Sequence, residues 1–170
     1  MHDWEQIRAE HGPTVWATIS RILRNRDDAL DCYQEVFLEC FQKANGSVVT
    51  NLPGLLRWLA VRRALDTVRS QRRRQLPREA SAAVSESVTS RESPAESVEM
   101  AELVERVRQE LNVIPANQAQ AFWLCCVEQF SYAEAAKQMQ IDKQHLGVLV
   151  HRSRTALRRS LSDLRAVGPS

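Results

Sequence analysis

The segment FSYAEAAKQMQIDKQHLGVLVHRSRTALRRSL, residues 130–161, decides the fold of this chain. Ser131 is a favourable N-cap, and Glu134 three residues later completes a capping box at the start of a helix. These two residues predict a short helix over Tyr132–Met139. The next three residues, Gln140-Ile141-Asp142, predict a turn. A second helix after so short a turn indicates a helix-turn-helix.

The second helix of this segment is predicted from Lys143 to about Leu161, with Asp142 as its cap. Its spacing predicts a buried face made of Leu146, Leu149 or Val150, and Leu157. The outward positions are basic: Arg152, Arg154, Arg158 and Arg159. Between Lys143 and Arg165 six basic residues stand against Asp163, which gives a net charge of +5. A basic second helix is typical of proteins that bind the DNA major groove, although two helices also meet through a short turn in plain bundles.

Apolar residues recur at three- and four-residue steps through most of the chain, which predicts an all-α fold. Of the 170 residues, 44% are hydrophobic and 26% are charged, a balance typical of globular proteins. Residues 1–5 do not begin a signal peptide, and no run approaches the roughly 18 apolar residues of a membrane span. We therefore expect a soluble cytoplasmic protein without membrane insertion.

The four cysteines, Cys32, Cys40, Cys125 and Cys126, lack a C-x-x-C spacing, and we interpret them as reduced core residues. The adjacent pair Cys125-Cys126 leaves a redox switch as the alternative, but neighbouring cysteines on a helix bridge only with strain. The histidines are scattered without metal-site spacing, and Gly-rich phosphate loops are absent. The sequence therefore predicts no metal, no cofactor, no small-molecule substrate and no enzymatic activity.

Two helices are predicted before residue 45. The first starts near Asp3 and is interrupted at Gly12-Pro13, where Pro13 would lie in the first turn of a resumed helix. The second covers residues 28–44, with an apolar stripe made of Ala29, Cys32, Tyr33, Val36, Phe37, Cys40, Phe41 and Ala44. Its opposite face is mostly acidic, with Asp28, Asp31, Gln34, Glu35 and Glu39, and by itself this row indicates a solvated face. A polar loop is predicted over Asn45–Asn51 because Asn-Gly favours a turn.

A third helix is predicted from Leu52-Pro53 to about Arg74. One face carries the apolar residues Leu55, Trp58, Val61, Leu65 and Val68. The other face is basic, since eight arginines from Arg57 to Arg78 are opposed only by Asp66, a net charge of +7. Arginine is suited to bidentate phosphate contacts and to stacking on bases, whereas a solvated helix normally intersperses glutamates. The pattern predicts binding of a polyanion.

Residues 76–98 are rich in serine, alanine and glutamate and predict a flexible linker. The linker separates two helical domains, residues 1–75 and residues 99–165. In the second domain, one helix has a stripe of Met100, Leu103, Val104, Val107 and Leu111, and it ends at Ile114-Pro115. The following helix has a predicted core face of Ala119, Phe122, Trp123, Cys126 and Val127.

Residues 130–161 resemble region 4 of sigma factors of the extracytoplasmic-function group, in the sigma-70 family. The resemblance rests on the Ser-Tyr-Ala-Glu opening, on Ile141 after the turn, and on a His-Arg-x-Arg-x-x-Leu ending that starts at His151. The first domain is similar to region 2 of the same family. Asp31-Cys32-Tyr33-Gln34-Glu35-Val36-Phe37 resembles the Asp-x-x-Gln-Glu-x-Phe run, and Arg63-Ala64-Leu65-Asp66 precedes the arginine cluster. The two matches cover almost the whole chain, in the order of the family.

The resemblance implies a transcription initiation factor that binds core RNA polymerase and promoter DNA. It implies that the helix face with Asp31, Gln34, Glu35, Leu38 and Glu39 docks on the polymerase. The residues implied to bind the separated strand of the minus-10 element are Asn45, Gly46, Ser47, Thr50, Asn51, Trp58, Arg62, Arg63 and Arg69. At the minus-35 element, Lys143, Gln144, His145 and Leu146 are implied to face base edges, with Arg152 and Arg154 on phosphates. Many relatives are held inactive by an anti-sigma factor, which is therefore a candidate partner.

The chain departs from the family pattern at several positions. Gln140 stands where a turn glycine is usual, at a cost of about 1 kcal/mol if the backbone there is left-handed. Gly147 and Leu149 replace residues that are often basic or polar, and Arg62 replaces an asparagine. Trp58 is either a core residue or a strand contact. Two other function classes stay open: a stand-alone helix-turn-helix regulator, and a helical interaction adaptor that would leave both arginine-rich segments without a role.

Overall fold

The computed structural model describes residues 3–75 and 98–166, and these residues form helices and no strand, so the predicted all-α fold is confirmed. The chain forms two compact units. The first contains three helices: α1 (Trp4–Ile22), α2 (Arg26–Gly46) and α3 (Leu52–Gln75). In the second, the elements are α4 (Val98–Val113), α5 (Ala116–Phe122), a π-helical turn (Trp123–Val127), α6 (Tyr132–Met139) and α7 (Lys143–Ala166). The predicted linker, apart from its last residue, and Arg78 lie outside the described residues.

Helix α1 continues through Pro13, so the predicted interruption at Gly12-Pro13 is wrong. Gly12 is buried, and a Cβ atom there would lie 2.5 Å from the hydroxyl oxygen of Tyr33 in α2. The absence of a side chain at Gly12 therefore permits a close approach of α2. The packing of α1 against α2 and α3 keeps the helix continuous although a proline removes one backbone hydrogen bond.

The core of the first unit lies between its three helices. Its fully buried members include Val15 and Ile19 from α1, Val36 and Cys40 from α2, and Leu56, Leu59 and Val61 from α3. The predicted burial of Leu55, Val61 and Leu65 is confirmed, whereas Trp58 and Val68 are only half-buried. Thus the apolar face of α3 is rotated slightly away from Trp58.

The cysteines are all free thiols. Cys32 and Cys40 are buried, as predicted, and their burial is the main reason that their pKa values rise to about 12 and about 11. Cys125 and Cys126 are half-buried in the π-helical turn. Burial, followed by the neighbouring Cys126, raises the pKa of Cys125 to about 11, so this thiol is protonated at neutral pH.

The helix-turn-helix has the predicted boundaries at α6 and at the start of α7. The backbone N–H of Ser131 donates to Glu134 Oε2 at 2.9 Å, and the backbone N–H of Glu134 donates to Ser131 Oγ at 3.2 Å, which is the predicted capping box. Asp142 Oδ1 accepts a 2.7 Å hydrogen bond from the backbone N–H of His145 and caps α7. Local hydrogen bonds therefore fix where both helices begin.

The sequence pattern predicted that either Leu149 or Val150 would be buried in α7, and both of them are. Leu146, Leu149, Val150 and Leu157 are all buried. In α4, Leu111 is buried but Leu103 and Val104 are exposed, so the predicted stripe is wrong at those two positions. The stripe of α4 therefore meets the core of the unit only toward its C-terminal end.

The π-helical turn alters the core predicted for the helix that contains Trp123. Ala119 and Trp123 are buried as predicted, but Ala121 and Leu124 are buried where Phe122 and Cys126 were expected. The backbone N–H of Glu128 donates to the carbonyl oxygen of Trp123, five residues earlier, at 2.9 Å. An α-helical period of 3.6 does not extend through such a turn, because a π-helical turn holds an additional residue.

The turn between α6 and α7 has a left-handed backbone at Gln140, with φ at 55°. The backbone N–H of Ile141 donates to the carbonyl oxygen of Ala136 at 3.1 Å, which places Gln140 at the position after the helix end where glycine is favoured. The strain expected at Gln140 is thus present.

Candidate nucleic-acid interface

A half-buried carboxylate lies between two arginines at the contact of α2 with α3. Arg62 Nη2 donates to Glu39 Oε1 at 2.6 Å and to Oε2 at 2.7 Å. Arg63 donates to Oε2 of the same group through Nε at 2.8 Å and lies within 2.7 Å of it through Nη2. Lys43 Nζ lies 3.9 Å from Oε1. We call Glu39, Lys43, Trp58, Arg62 and Arg63 the Glu39 cluster.

The Glu39 cluster keeps its carboxylate ionised. Burial alone would raise the pKa of Glu39, but the hydrogen bonds from Arg63 and Arg62 outweigh it and hold the pKa below its ordinary value. Burial likewise opposes the charge of Arg63, and the hydrogen bond to Glu39 overcomes that effect and raises the pKa of Arg63. The ion pairs are therefore present at any pH near neutrality.

Trp58 lies at the edge of the Glu39 cluster and not in the core. The guanidinium carbon of Arg62 lies 4.8 Å from the centre of the indole ring, and Lys43 Nζ lies 5.9 Å from it. The indole Nε1 is buried and has no hydrogen-bond partner among the described residues. A cation over an aromatic face is a favourable contact, and aromatic faces of this kind also stack on unpaired bases.

Asp31, Gln34, Glu35 and Leu38 form an exposed row on α2. Leu38 is 58% exposed and is the apolar member of this row. Glu39 was predicted to belong to this row, but its side chain is only 14% exposed and faces α3, which corrects that assignment. Asp28 is also turned toward α3, where its Oδ2 accepts a 2.7 Å hydrogen bond from Gln71.

The connection between α2 and α3 is shorter than predicted, because α2 ends at Gly46 and therefore includes Asn45. Ser47 Oγ donates to the carbonyl oxygen of Lys43 at 3.0 Å. At the other end of the connection, Asn51 Oδ1 accepts a 2.9 Å hydrogen bond from the backbone N–H of Gly54 and so caps α3.

Thr50 and Val48 are the exposed residues of this connection whose side chains do not cap a helix. Val48 is 92% exposed and was not among the predicted strand contacts. In the sequence, Val48 is an apolar residue within a polar loop, and this could have identified it as a candidate contact. The predicted contacts were its polar neighbours instead.

The arginines of α3 beyond the Glu39 cluster differ in exposure. Arg69 is half-buried, and its burial is the main reason that its pKa is lowered. The negative charge of Asp66 acts to raise this pKa, and the positive charge of Arg73 lowers it further. Arg72, Arg73 and Arg74 are exposed in the last turn. The C-terminal part of α3 therefore presents a concentrated positive charge to solvent.

Helix α7 exposes Lys143, Gln144 and His145 in its first turn, and Arg152 is exposed two turns later. Leu146 was predicted to face base edges, but it is fully buried in the core, and that assignment is wrong. Its burial follows from its position on the apolar stripe of an amphipathic helix. The exposed apolar residue on this part of α7 is Val148.

Arg154 is exposed, and its Nη2 lies 3.3 Å from Cys126 Sγ as a hydrogen-bond donor. This bond and the electrostatic interaction with the Cys126 side chain raise the pKa of Arg154. The guanidinium thus reaches back from α7 to the π-helical turn. A phosphate contact by Arg154 would require it to share or leave this sulfur.

Family models for Sigma-70 region 2 and Sigma-70 region 4 match residues 7–74 and 104–157. The chain belongs to the sigma-70 family. Regions 2 and 4 in this order are the arrangement of the extracytoplasmic-function group, to which the sequence resemblance pointed. A sigma factor acts in transcription initiation, with RNA polymerase and promoter DNA as its partners.

A solved structure supports the same fold. The sigma factor is similar to the sigma factor RpoE of Bartonella quintana, whose structure was determined in complex with the anti-sigma factor NepR. The two chains are 21% identical, the TM-score is 0.61, and the match covers 95% of this chain and 98% of that one.

Region 2 of the sigma factor contains the exposed row of α2, the connection to α3 and the Glu39 cluster; region 4 contains the helix-turn-helix. Within the parts of the chain that the structure describes, no helix is long and apolar enough to span a membrane. Those parts also lack a group of three or more metal-ligating side chains.

Proposed function

We propose that this sigma factor binds core RNA polymerase through the exposed row of α2 and directs it to promoters with defined minus-10 and minus-35 elements. The observation that supports the first part is the exposed row itself. Asp31, Gln34, Glu35 and Leu38 are all exposed on one side of α2, within the residues that match Sigma-70 region 2. Their polar and apolar side chains are therefore available to a partner protein.

The minus-10 element would bind the first domain, residues 1–75. The exposed connection at Ser47 and Thr50 is proposed to hold an unstacked base, and Asn45, Gly46 and Asn51 would support the connection at its two ends. Trp58, Arg62, Arg63 and Arg69 would lie along the path of the separated strand. Aromatic and arginine side chains suit this role because stacking contributes about 1–3 kcal/mol per base without strong sequence preference.

The minus-35 element would bind the second domain, residues 99–165, in the major groove. Lys143, Gln144 and His145 are exposed in the first turn of α7, where helix-turn-helix proteins contact base edges. Arg152 and Arg154 would contact phosphates. The chain itself is proposed to make or break no covalent bond, to act in the cytoplasm with the polymerase, and to be bound by an anti-sigma factor, as the similar protein of Bartonella quintana is.

The test is a pull-down with purified core RNA polymerase, comparing the wild type with the double variant Gln34→Ala/Glu35→Ala. A matched control is Gln6→Ala/Glu10→Ala, which removes the same two residue types from the exposed surface of α1. We expect the wild type and the control to bind core polymerase stably. The Gln34→Ala/Glu35→Ala variant should lose this binding. A folded wild type that does not bind polymerase, but binds a specific duplex by itself, would instead identify a stand-alone helix-turn-helix regulator.

The minus-35 assignment has a separate test in promoter binding by the polymerase complex. Gln144→Ala should weaken binding by about 1–3 kcal/mol only at promoters with the preferred base at the contacted position. Arg152→Ala should weaken binding to all promoters alike and reduce its dependence on salt. A uniform loss for both variants would contradict base contact by Gln144.

A further inference from the structure

Two of the three arginines proposed to meet the separated DNA strand, Arg62 and Arg63, are already bound to carboxylates within the protein. Arg63 places Nε and Nη2 within hydrogen-bonding distance of Glu39, and its Nη1 donates to Glu35 Oε2 at 3.3 Å. Arg62 donates to both oxygens of Glu39. A phosphate that approaches these guanidinium groups therefore competes with carboxylates for the same N–H donors.

Glu39 is more deeply buried than the two arginines that bind it. The Glu39 side chain is 14% exposed, whereas those of Arg62 and Arg63 are 27% and 36% exposed. The arginines can thus be reached from solvent, but Glu39 lies beneath them and cannot move away with them. Its pKa is held below the ordinary value, so it remains negative under them.

We propose that Glu39 restrains Arg62 and Arg63 in the free sigma factor, so that it competes with DNA phosphates for them and weakens the binding of single-stranded DNA. This inference rests on the proposed function, in which the two arginines face the strand. It assigns Glu39 a role inside the protein and removes it from the polymerase-docking row. Removal of its charge should release up to two cations to the strand.

The test measures binding of a labelled single-stranded oligonucleotide of about 15 nucleotides to the full chain at several salt concentrations. Glu39→Gln keeps the size of the side chain and removes its charge. Each new phosphate contact adds about 0.7 to the salt slope of single-strand binding, which is about 5-fold in affinity for a tenfold decrease in salt. We therefore expect the affinity of Glu39→Gln at low salt to be about 3- to 10-fold higher than that of the wild type. Glu10→Gln is the matched control, since Glu10 is an exposed glutamate of α1, and it should bind as the wild type does.

Circular dichroism of each variant separates an effect on binding from an effect on folding. If Glu39→Gln does not fold, Glu35→Gln provides the second test, because Glu35 is 56% exposed and its loss frees only one donor of Arg63. That variant should show a smaller increase of affinity. Equal or weaker binding by a folded Glu39→Gln, or no increase by Glu35→Gln where it must serve as the test, overturns the restraint.

The outcome is distinguishable from a failure of the proposed function. If the wild type binds core polymerase and starts transcription while Glu39→Gln gains no affinity for the strand, only the restraint is wrong. If the wild type neither binds polymerase nor directs initiation, the proposed function itself is wrong.

Discussion

Replacement of Gln140 by glycine should stabilise the helix-turn-helix. The backbone at Gln140 is left-handed, with φ at 55°, and Ile141 donates a hydrogen bond back to Ala136 across it. A side chain in this conformation costs about 1–2 kcal/mol relative to the right-handed region. Glycine avoids that cost but loses about 0.5–1 kcal/mol more conformational entropy on folding. The net gain in the free energy of unfolding is therefore between about 0 and 1.5 kcal/mol, with a central value of about 0.75 kcal/mol.

The assay is thermal unfolding of the full chain, followed at a probe within the second unit. Trp123 is suitable because it is only 6% exposed, and its indole signal is assigned by comparison with a Trp123→Phe variant. In a domain of this size, 1 kcal/mol shifts the Tm by about 4–8 °C. At the central value of the gain, Gln140→Gly should accordingly raise the midpoint reported by Trp123 by about 3–6 °C.

Gln138→Gly is the matched control, since it replaces the same residue type within α6, where the backbone is helical. It should lower the stability by about 1 kcal/mol, because glycine is unfavourable inside a helix. If both variants lower the midpoint, the backbone at Gln140 is not left-handed in solution and the reasoning fails.

Three further outcomes test the first unit. Gly12→Ala should destabilise the wild type, because the new Cβ would lie 2.5 Å from the Tyr33 hydroxyl oxygen. In the Tyr33→Phe background, which lacks this oxygen, the same substitution should be stabilising by about 0.5–1 kcal/mol, because alanine has a higher helix propensity than glycine. A double-mutant cycle of urea unfolding without this change of sign would contradict the close approach. Asn51→Ala should lose about 1 kcal/mol with the cap of α3, whereas Asn51→Asp should retain it, and equal thermal stability of both would exclude the cap. Since the pKa of Glu39 is lowered below 4.5 by folding, the stability that its ionised form contributes is complete above that pH and is lost as the pH falls through the folded pKa. The difference in stability between the wild type and Glu39→Gln should therefore shrink as the pH falls below about 4.5, and a difference that is constant with pH would contradict the ion pairs.

The parts of the fold that were predictable from sequence are those fixed by neighbouring residues. The start of α6 follows from Ser131 and Glu134, whose side chains complete hydrogen bonds three residues away. The start of α7 follows in the same way from Asp142, whose carboxylate caps the helix. Such signals depend on no contact from elsewhere in the chain, which is why the predicted boundaries are confirmed.

The errors arose where tertiary packing or backbone register determines the structure. A proline usually ends or bends a helix, but the contacts of α1 with α2 and α3 keep it continuous through Pro13. The π-helical turn at Trp123–Val127 breaks the α-helical period at Cys126, and the residue types of this segment do not predict such a turn. In α7, the apolar period predicted the burial of Leu146 correctly, and the burial contradicts the base contact that the family resemblance implied.

The candidate site shows the same division. Sequence pattern separated an acidic face on α2 from a basic face on α3, but the ion pairs of Glu39 join residues more than twenty positions apart. A pattern along one helix reports which residues share a face and not what that face contacts. The charges of opposite sign on consecutive helices were the available signal, and they indicated an attraction without identifying its members.

Arg63 connects the two surfaces that the proposed function requires. It lies against Glu39 and also donates to Glu35, which belongs to the exposed row proposed to meet polymerase. A partner that engages Glu35 must change the surroundings of Arg63, and a DNA phosphate that engages Arg63 must change those of Glu35. By thermodynamic reciprocity, whatever factor the polymerase contributes to strand affinity through this pair, the strand contributes to polymerase affinity. Under the proposed function, docking and strand binding are therefore coupled through this pair. The interaction energy of Glu35 with Arg63, measured by a double-mutant cycle of Glu35→Gln and Arg63→Ala, is the upper limit of that coupling.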